Sequence, residues 1–421
     1  MNRAVFFGNK VVLTAFVLAM LGWGIGFYGP PIFMYAVIQR SGWSLSLCSA
    51  AVTLHFLAGT LVVANLPRLY RRFGLPRITC LGTLLLTLGL LGWALARDPY
   101  QLFIGALFSG LGWVTLGAAA INAMIAPWFV RKRPAALAMA YNGASLGGVI
   151  FSSAWVYLIN RLGFAMAALL VGTLALVIVA SVARRVLSKS PALLGQHPDG
   201  LEPLPAPASP TSPLPGAPDK LWRNRQFLTL GAAMALGLVA QIGLIAHLFR
   251  VLVPRFGEQQ AGLAMGLATL SAIAGRTLVG WLMPPDANRR HIACLSYGVQ
   301  LAGCIALTMA GAHDSLIWLG VLLFGAGIGN ATSLPPLIAQ AEFSSPHSQR
   351  VVALIVAFAQ GCYAFAPALF GALLAVQQSA GSSSSLFIGA GLIQVLAMGV
   401  MAWGTRLRVG RDKRAAKQAR A

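Results

Sequence analysis

The feature that most constrains this chain is a series of long apolar runs. An α-helix needs about 20 mostly apolar residues to cross the roughly 30 Å hydrocarbon core of a bilayer. Twelve runs reach about that length: 11–38, 44–66, 77–96, 100–126, 135–159, 164–183, 226–252, 260–283, 291–311, 315–339, 350–376 and 385–404. Only 10% of the residues are charged, against about 25% in soluble domains. The sequence therefore predicts an all-α membrane protein with twelve transmembrane helices.

The positions of the charges predict the orientation in the membrane. The net charge of +22 is concentrated in alternate connections between the runs, at Arg68–Arg77, Arg131–Arg133, Arg184–Arg225, Arg289–Arg290 and Arg350, and in the tail from Arg406. Basic loops stay on the cytoplasmic side, so we expect both termini and the central loop there. Arginine outnumbers lysine, which suggests a GC-rich bacterial genome, so we expect the membrane to be a bacterial inner membrane. The charges are explained by topology, so the expected partner is the lipid bilayer and not nucleic acid.

One long polar segment divides the runs six and six. It holds nine prolines between Pro191 and Pro218, and a segment of that composition is a semi-extended linker. We expect an N-terminal bundle at 1–183, a cytoplasmic linker at 184–225, a C-terminal bundle at 226–405 and a basic cytoplasmic tail at 406–421.

The two halves repeat each other at an offset of 217 residues. The shift aligns Thr60–Val62 with Thr277–Val279, and it places Arg133 on Arg350. Each match is weak by itself, and the shared offset is the evidence. Two six-helix bundles repeated in the same orientation are typical of a secondary transporter that binds its substrate between them, near the midplane.

Arg276 is a full charge inside the eighth run. It lies eight residues before Pro284, which is roughly 12 Å along a helix. A lone arginine at such depth costs at least about 2.5–3.5 kcal/mol, and it usually faces a water-filled cavity or binds an anion. Ala264, Ala268 and Ala272 share its helical face. We predict that Arg276 binds an anionic substrate.

His55 is the polar residue that the repeat places near Arg276. The offset aligns His55 with Ala272, one turn before Arg276, so pseudo-symmetry would bring both groups to the central cavity at neighbouring depths. We consider His55 as a substrate contact or proton-coupling site. The alternative is a core histidine that hydrogen-bonds to a neighbouring helix, and the sequence does not separate the two.

The acidic residues are informative by where they are missing. All nine lie in predicted loops or helix ends, so no predicted helix interior holds a carboxylate, and we expect an anionic substrate to supply the negative charge opposite Arg276. The same absence disfavours drug cations. Proton coupling would then use His55, His247 or the substrate itself. No triad, zinc spacing or paired carboxylates occur, so we expect no enzyme, no metal and no cofactor.

The chain resembles the major facilitator superfamily, and within it the bacterial relatives of monocarboxylate transporters and oxalate–formate antiporters. The stretch Trp128–Ala135 is similar to the segment before the fifth helix of monocarboxylate transporters, and Ala274–Arg276 to their eighth-helix arginine. The resemblance implies the major facilitator fold, with Arg276 as the carboxylate ligand.

The loop motif after the second helix departs from the family pattern at Pro67–Gly74, where Arg71 replaces the aspartate. No second basic anchor is present, since Gln360 lies where the antiporters have lysine, which favours a monoanion.

Three further polar residues are candidates to line the substrate site. Tyr28 follows a glycine-rich stretch that, with Pro30, is expected to break the first helix. Gln360 and Tyr363 are uncharged polar groups at membrane depth in the eleventh run. For these two, an interhelical hydrogen bond is the competing interpretation.

We therefore expect a secondary active transporter of a small organic anion, a monocarboxylate, that works by alternating access as a monomer, with a proton or counter-anion as coupling partner. Two alternatives stay open. One is efflux of a hydrophobic or drug-like compound, with Arg276 structural. The other is a membrane sensor or scaffold that does not transport.

Overall fold

The computed structural model describes residues 6–200, 218–284, 287–343, 345–377 and 384–418. Regular structure within these ranges is helical, as predicted. The α-helices are α1 (Gly8–Gly26), α2 (Gly29–Ser41), α3 (Leu45–Phe73), α4 (Leu75–Leu95), α5 (Pro99–Trp113), α6 (Ala118–Ile125), α7 (Arg133–Leu162), α8 (Phe164–Val182), α9 (Arg225–Leu282), α10 (Arg289–Met309), α11 (Asp314–Glu342), α12 (Ser345–Tyr363), α13 (Ala366–Gln377) and α14 (Ser384–Gln418).

The described residues provide the twelve predicted crossings. Eleven helical stretches among them are long and apolar enough to span a membrane. One of these is α9, whose 58 residues would extend roughly 87 Å as a straight helix. Gly257 interrupts it with φ 75° and ψ 166°, and each part is long enough to cross roughly 30 Å of hydrocarbon. Counting α9 as two crossings gives twelve.

Three crossings are built from two shorter helices. The predicted break in the first crossing is confirmed and lies at Phe27–Tyr28, between α1 and α2. Prolines in the first turn of α2 have no N–H to continue the helical ladder of α1. The breaks between α5 and α6 and between α12 and α13 were not predicted.

Several helices continue beyond the apolar runs. The third helix ends at Phe73 and α11 at Glu342, while α14 reaches Gln418 although its membrane-crossing stretch ends at Gly404. Backbone hydrogen bonds close a helix in water as well as in lipid, and Arg and Lys are good helix formers. The apolar runs marked the hydrocarbon thickness rather than the helix ends.

The chain divides into two compact units. Unit 1 is Met1–Leu214 together with Leu248–Gly266, and unit 2 is Pro215–His247 together with Leu267–Ala421. The middle of the predicted linker (201–217) and the end of the predicted tail (419–421) lie outside the described residues.

The first part of the central loop is folded onto unit 1. It continues from α8 through a wide helical turn at Ala183–Leu187 and short turns at Ala192–Leu194 and Pro198–Gly200. This part of the predicted linker is therefore not semi-extended.

Close helix crossings at glycine hold unit 1 together. In the α1–α7 crossing, a Cβ on Gly143 would collide with the carbonyl oxygen of Phe16. In the α4–α5 crossing, a Cβ on Gly89 would collide with the backbone of Ser109. Membrane helices have little hydrophobic drive toward one another, so they gain contact by bringing backbones together at small residues.

Unit 2 has a core to which α9, α10, α11, α12 and α14 contribute. Phe227, Tyr297 and Met401 are among its buried members. The Tyr297 hydroxyl donates to the Ala233 carbonyl oxygen at 3.2 Å, which joins α10 to α9. This hydrogen bond satisfies the one polar group that the Tyr297 ring carries into the interior.

Candidate substrate-binding site

Arg276 lies in the part of α9 that follows Gly257, and its side chain is half-buried. The helix ends at Leu282, six residues later, so Arg276 is roughly 9 Å from that end along the axis. This is shallower than the sequence estimate, which counted from Pro284. The position is within the helix Arg225–Leu282, which as a whole is long and apolar enough to span a membrane.

The face of α9 that carries Ala268, Ala272 and Arg276 packs against α11. A Cβ on Gly329 would lie 2.5 Å from the Ala272 carbonyl oxygen and 2.9 Å from Cβ of Arg276. A Cβ on Gly325 would lie 2.5 Å from the Ala268 carbonyl oxygen. Because the backbone of α11 touches the turn that carries Arg276, the starting direction of its side chain is fixed. The alanines on this face serve helix packing.

Unit 1 makes the same kind of contact around His55. A Cβ on Gly110 of α5 would collide with the His55 carbonyl oxygen. In unit 2, Gly329 of α11 faces the Ala272 carbonyl oxygen. His55 and Ala272 are the positions that the 217-residue offset aligns, so each half places this position where its helix meets a glycine of a neighbouring helix.

The side chain of His55 is enclosed, with 1% of its surface exposed. Its Nε2 lies 2.8 Å from the Gly26 carbonyl oxygen and its Nδ1 lies 2.9 Å from Ser109 Oγ. Because a carbonyl oxygen only accepts, Nε2 carries a proton and donates it. The ring stacks on Trp113, with centroids 5.9 Å apart. This geometry favours the core-histidine interpretation of His55.

Tyr28 lies at the break between α1 and α2. It is 7% exposed, and its ring contacts that of Phe27 with centroids 5.0 Å apart. Gly26, which accepts from His55, is two residues before it. Unit 1 thus brings Tyr28 and His55 into one buried neighbourhood, at the point where the first crossing bends.

Gln360 and Tyr363 precede the break in the eleventh crossing. Both side chains are half-buried, and Tyr363 packs against the core of unit 2. The backbone of Ala364 donates to the Gln360 carbonyl oxygen at 3.2 Å, after which α12 stops. These two residues belong to the same unit as Arg276.

His247 is buried in unit 2, with 0% of its surface exposed. Its Nε2–H donates to the Pro367 carbonyl oxygen at 2.9 Å, which joins α9 to the first turn of α13. The hydrogen bond holds the helix that resumes after the break at Tyr363.

A buried ion pair in unit 2 was missed by the sequence reasoning. Arg290, 2% exposed, donates from Nε and Nη2 to the two carboxylate oxygens of Glu342 at 2.7 and 2.8 Å. Its remaining donors reach Thr229 Oγ1 at 3.2 Å and the backbone oxygens of Gln226 and Met401. The available signal was an arginine at the start of one run and an acid at the end of the next. We interpreted both only as loop charges.

Comparisons with known proteins agree with this architecture. The chain is 30% identical to MFS-type transporter 1 of Ophiocordyceps sp. (strain BCC 1869) over 310 residues, which is 71% of this chain and 63% of that protein. It is 28% identical to monocarboxylate transporter 11 of Homo sapiens over 216 residues, 50% of this chain and 42% of that protein. The chain therefore spans about half the length of these curated relatives.

Among solved structures, that of the nucleoside transporter NupG superposes with a TM-score of 0.71 at 14% identity, covering 96% of this chain and 99% of that one. At this identity the likeness shows the fold. Residues 11–370 match the Major Facilitator Superfamily, a family of membrane transporters and not of enzymes. With its twelve crossings and this match over most of its length, the chain belongs to the major facilitator superfamily.

Proposed function

We propose that the protein is a secondary active transporter of a small organic anion, a monocarboxylate, and that it works by alternating access. The observation that carries the proposal is Arg276, a half-buried guanidinium on a membrane-spanning helix whose turn is packed against Gly329 of α11. The chain's relatives include proteins named monocarboxylate transporters, which supports a carboxylate as substrate.

The chemistry of Arg276 fits a carboxylate. A guanidinium presents parallel N–H donors that match the two oxygens of a carboxylate, and it stays charged at any physiological pH. The bound anion would offset part of the cost of holding the arginine within the membrane span.

The other predicted site residues contribute as follows. Gln360 and Tyr363 would offer amide and hydroxyl groups from the break in the eleventh crossing, and Tyr28 would act from the break in the first. His55 is 1% exposed and both of its ring nitrogens contact protein atoms, so proton coupling through it would place a full charge in the interior of unit 1. We therefore assign coupling to the substrate, as a proton carried on the carboxylate or an exchanged counter-anion.

The proposed arrangement in the cell follows from the charges. Basic residues concentrate in alternate connections, which supports a bacterial inner membrane with both termini in the cytoplasm. The two-unit division supports one complete carrier per chain, so the proposed working form is a monomer.

A second candidate is efflux of a hydrophobic compound, in which Arg276 would serve as a structural lock. The specific observation behind it is the contact of Arg276 Cβ with the position of Gly329. An arginine held against α11 would then stabilise the pairing of two helices and bind no substrate.

The two candidates differ in what Arg276 does during transport. The test is counterflow of radiolabelled lactate into liposomes that contain the purified protein. Uptake by the wild type is compared with uptake by Arg276→Ala. Arg97→Ala, which changes an exposed arginine, is the matched control. Loss of a charge-assisted pair of about 1.5–3 kcal/mol lowers uptake roughly 10- to 150-fold. The anion carrier predicts that loss in a folded Arg276→Ala and wild-type uptake in Arg97→Ala. Equal uptake of lactate by both variants would contradict it.

A further inference from the structure

The loop between α6 and α7 holds a carboxylate in a cradle of backbone N–H groups. This loop contains Trp128 and Phe129, which are 3% and 5% exposed, followed by the polar stretch Val130–Lys132. It is the stretch that resembles monocarboxylate transporters in sequence, and the proposed transport site does not use it. Its role in the structure is to bind a side chain from the central loop.

The carboxylate of Asp199, from the folded part of the central loop, is seated on three consecutive backbone amides. Arg131 N–H donates to Oδ2 at 2.8 Å and Lys132 N–H donates to Oδ1 at 3.1 Å. Val130 N–H lies 3.3 Å from both oxygens. Each oxygen therefore accepts from two donors, a pattern that only an ionised carboxylate satisfies fully.

The backbone of Asp199 is shaped for this contact. It has φ 62°, the left-handed region that asparagine and aspartate enter more readily than other side chains. Its own N–H donates to the Trp128 carbonyl oxygen at 2.9 Å. The side chain is 7% exposed, although it belongs to a loop. A left-handed residue persists when the surrounding contacts hold it, and here they come from both its backbone and its carboxylate.

A second set of contacts fastens the same segment to the start of α1. The Phe7 N–H donates to Gln196 Oε1 at 2.9 Å. The Phe6 ring meets those of Trp128 and Phe129 with centroids 6.2 and 5.5 Å apart. The segment Gln196–Gly200 is thus fixed at two places, to Phe7 just before α1 and to the loop before α7.

Electrostatics favour an anion at this place. The N-terminus of α7, a helix of 30 residues, carries a partial positive charge, and Arg131, Lys132 and Arg133 surround it. Burial alone would raise the pKa of Asp199. The three N–H donors and the charge of Lys132 outweigh that effect, so the pKa lies below its ordinary value of 3.8.

We propose that Val130–Lys132 is a carboxylate-binding cradle and that Asp199 is its built-in ligand, a clip that docks the central loop on the inner end of unit 1. The clip joins the residues just before α1, the loop before α7 and the segment Gln196–Gly200 into one body. The segment Gln196–Gly200 is therefore held at a fixed place on unit 1. This role does not depend on which substrate is carried, so its test is independent of the test of the proposed function.

Hydrogen–deuterium exchange of the purified full chain tests the clip. The wild type is expected to protect the amides of Val130–Lys132, because their donors are occupied by the Asp199 carboxylate. Asp199→Ala should raise their exchange rate at least about tenfold, and Asp199→Asn, with one acceptor oxygen, by less. Asp98→Ala is the matched control, since Asp98 is exposed and makes no side-chain cap on α5.

Amides in the middle of α7 report whether each variant is folded. Faster exchange at Val130–Lys132 with unchanged exchange in α7 supports the clip. The proposal is overturned if these amides are unprotected in the wild type, or if a folded Asp199→Ala protects them equally. Trypsin gives a second readout, because release of the segment should speed cleavage after Lys189 several-fold in Asp199→Ala and leave Asp98→Ala unchanged.

Discussion

Arg290 and Glu342 form a two-bonded ion pair between the start of α10 and the end of α11, with the arginine 2% and the acid 7% exposed. The same guanidinium also donates to groups on α9 and α14. One side chain therefore joins four helices of unit 2. Because every donor has an acceptor, the desolvation of both charges is compensated.

Removal of Arg290 should destabilise the protein strongly. Arg290→Ala leaves Glu342 buried without its partner, which costs about 3–5 kcal/mol. Thermal unfolding in detergent measures the effect, and Arg223→Ala, at an exposed arginine of the same unit, is expected to melt like the wild type. The double variant Arg290→Met with Glu342→Leu should recover much of the loss, since it removes both charges. An Arg290→Ala protein that unfolds at the wild-type temperature would show that the ion pair does not stabilise the packing of these helices.

Gly329 should be intolerant of a methyl group. Its Cβ would lie 2.5 Å from the Ala272 carbonyl oxygen, so Gly329→Ala must push α11 away from the turn that carries Arg276. Overpacking of this kind costs about 1–3 kcal/mol. Gly280→Ala on α9 is the matched control, because a Cβ there meets nothing within 4 Å. Equal unfolding temperatures for the two variants would contradict the close packing of α9 on α11.

The crossings were predictable because each depends on local composition. A run of about 20 apolar residues becomes a helix in the membrane wherever it lies in the fold. The break at Phe27–Tyr28 was also local, since glycines and prolines mark it in the sequence. The break after Tyr363 was not predicted, although Pro367 follows it, because proline is tolerated in many membrane helices.

The long-range pairs were not predictable in the same way. Arg290 and Glu342 are 52 residues apart, and Asp199 binds a loop nearly 70 residues before it. Such pairs depend on how helices pack, which one sequence does not specify. The same holds for His55, whose partners Gly26 and Ser109 come from two other helices. The repeat singled out His55 as a candidate, and its packing partners determine what its side chain can do.

His55 should matter for stability. His55→Phe retains a ring that can stack on Trp113 but leaves the Gly26 carbonyl oxygen without its donor, which costs about 1–3 kcal/mol. His313→Phe, at an exposed histidine that makes no side-chain cap on α11, is the control and should have no effect on thermal unfolding. A His55→Phe protein that melts normally but no longer binds a carboxylate would instead support His55 as a substrate contact.

The contribution of Asp199 should depend on pH. Its folded pKa is lowered, so the stability that it adds is present above its unfolded value of about 3.9 and is lost as the pH falls through the folded pKa. The difference in unfolding temperature between wild type and Asp199→Asn should therefore be full at pH 7 and shrink below about pH 4. A difference that is constant across this range would contradict a bound carboxylate.

The central claim is that Arg276 binds the carboxylate of the substrate. The most direct measurement is thermal unfolding of the purified protein with and without lactate, pyruvate or acetate, for wild type, Arg276→Lys and Arg276→Ala, with lactamide as the uncharged comparison. A ligand at 100 times its Kd stabilises by about 2.7 kcal/mol. The account predicts that one of these monocarboxylates raises the unfolding temperature of the wild type, raises that of Arg276→Lys less, and leaves a folded Arg276→Ala unchanged, while lactamide has no effect. Equal stabilisation of wild type and Arg276→Ala by a carboxylate would contradict the central claim. So would a result in which no carboxylate stabilises the wild type and Arg276→Ala unfolds at a far lower temperature.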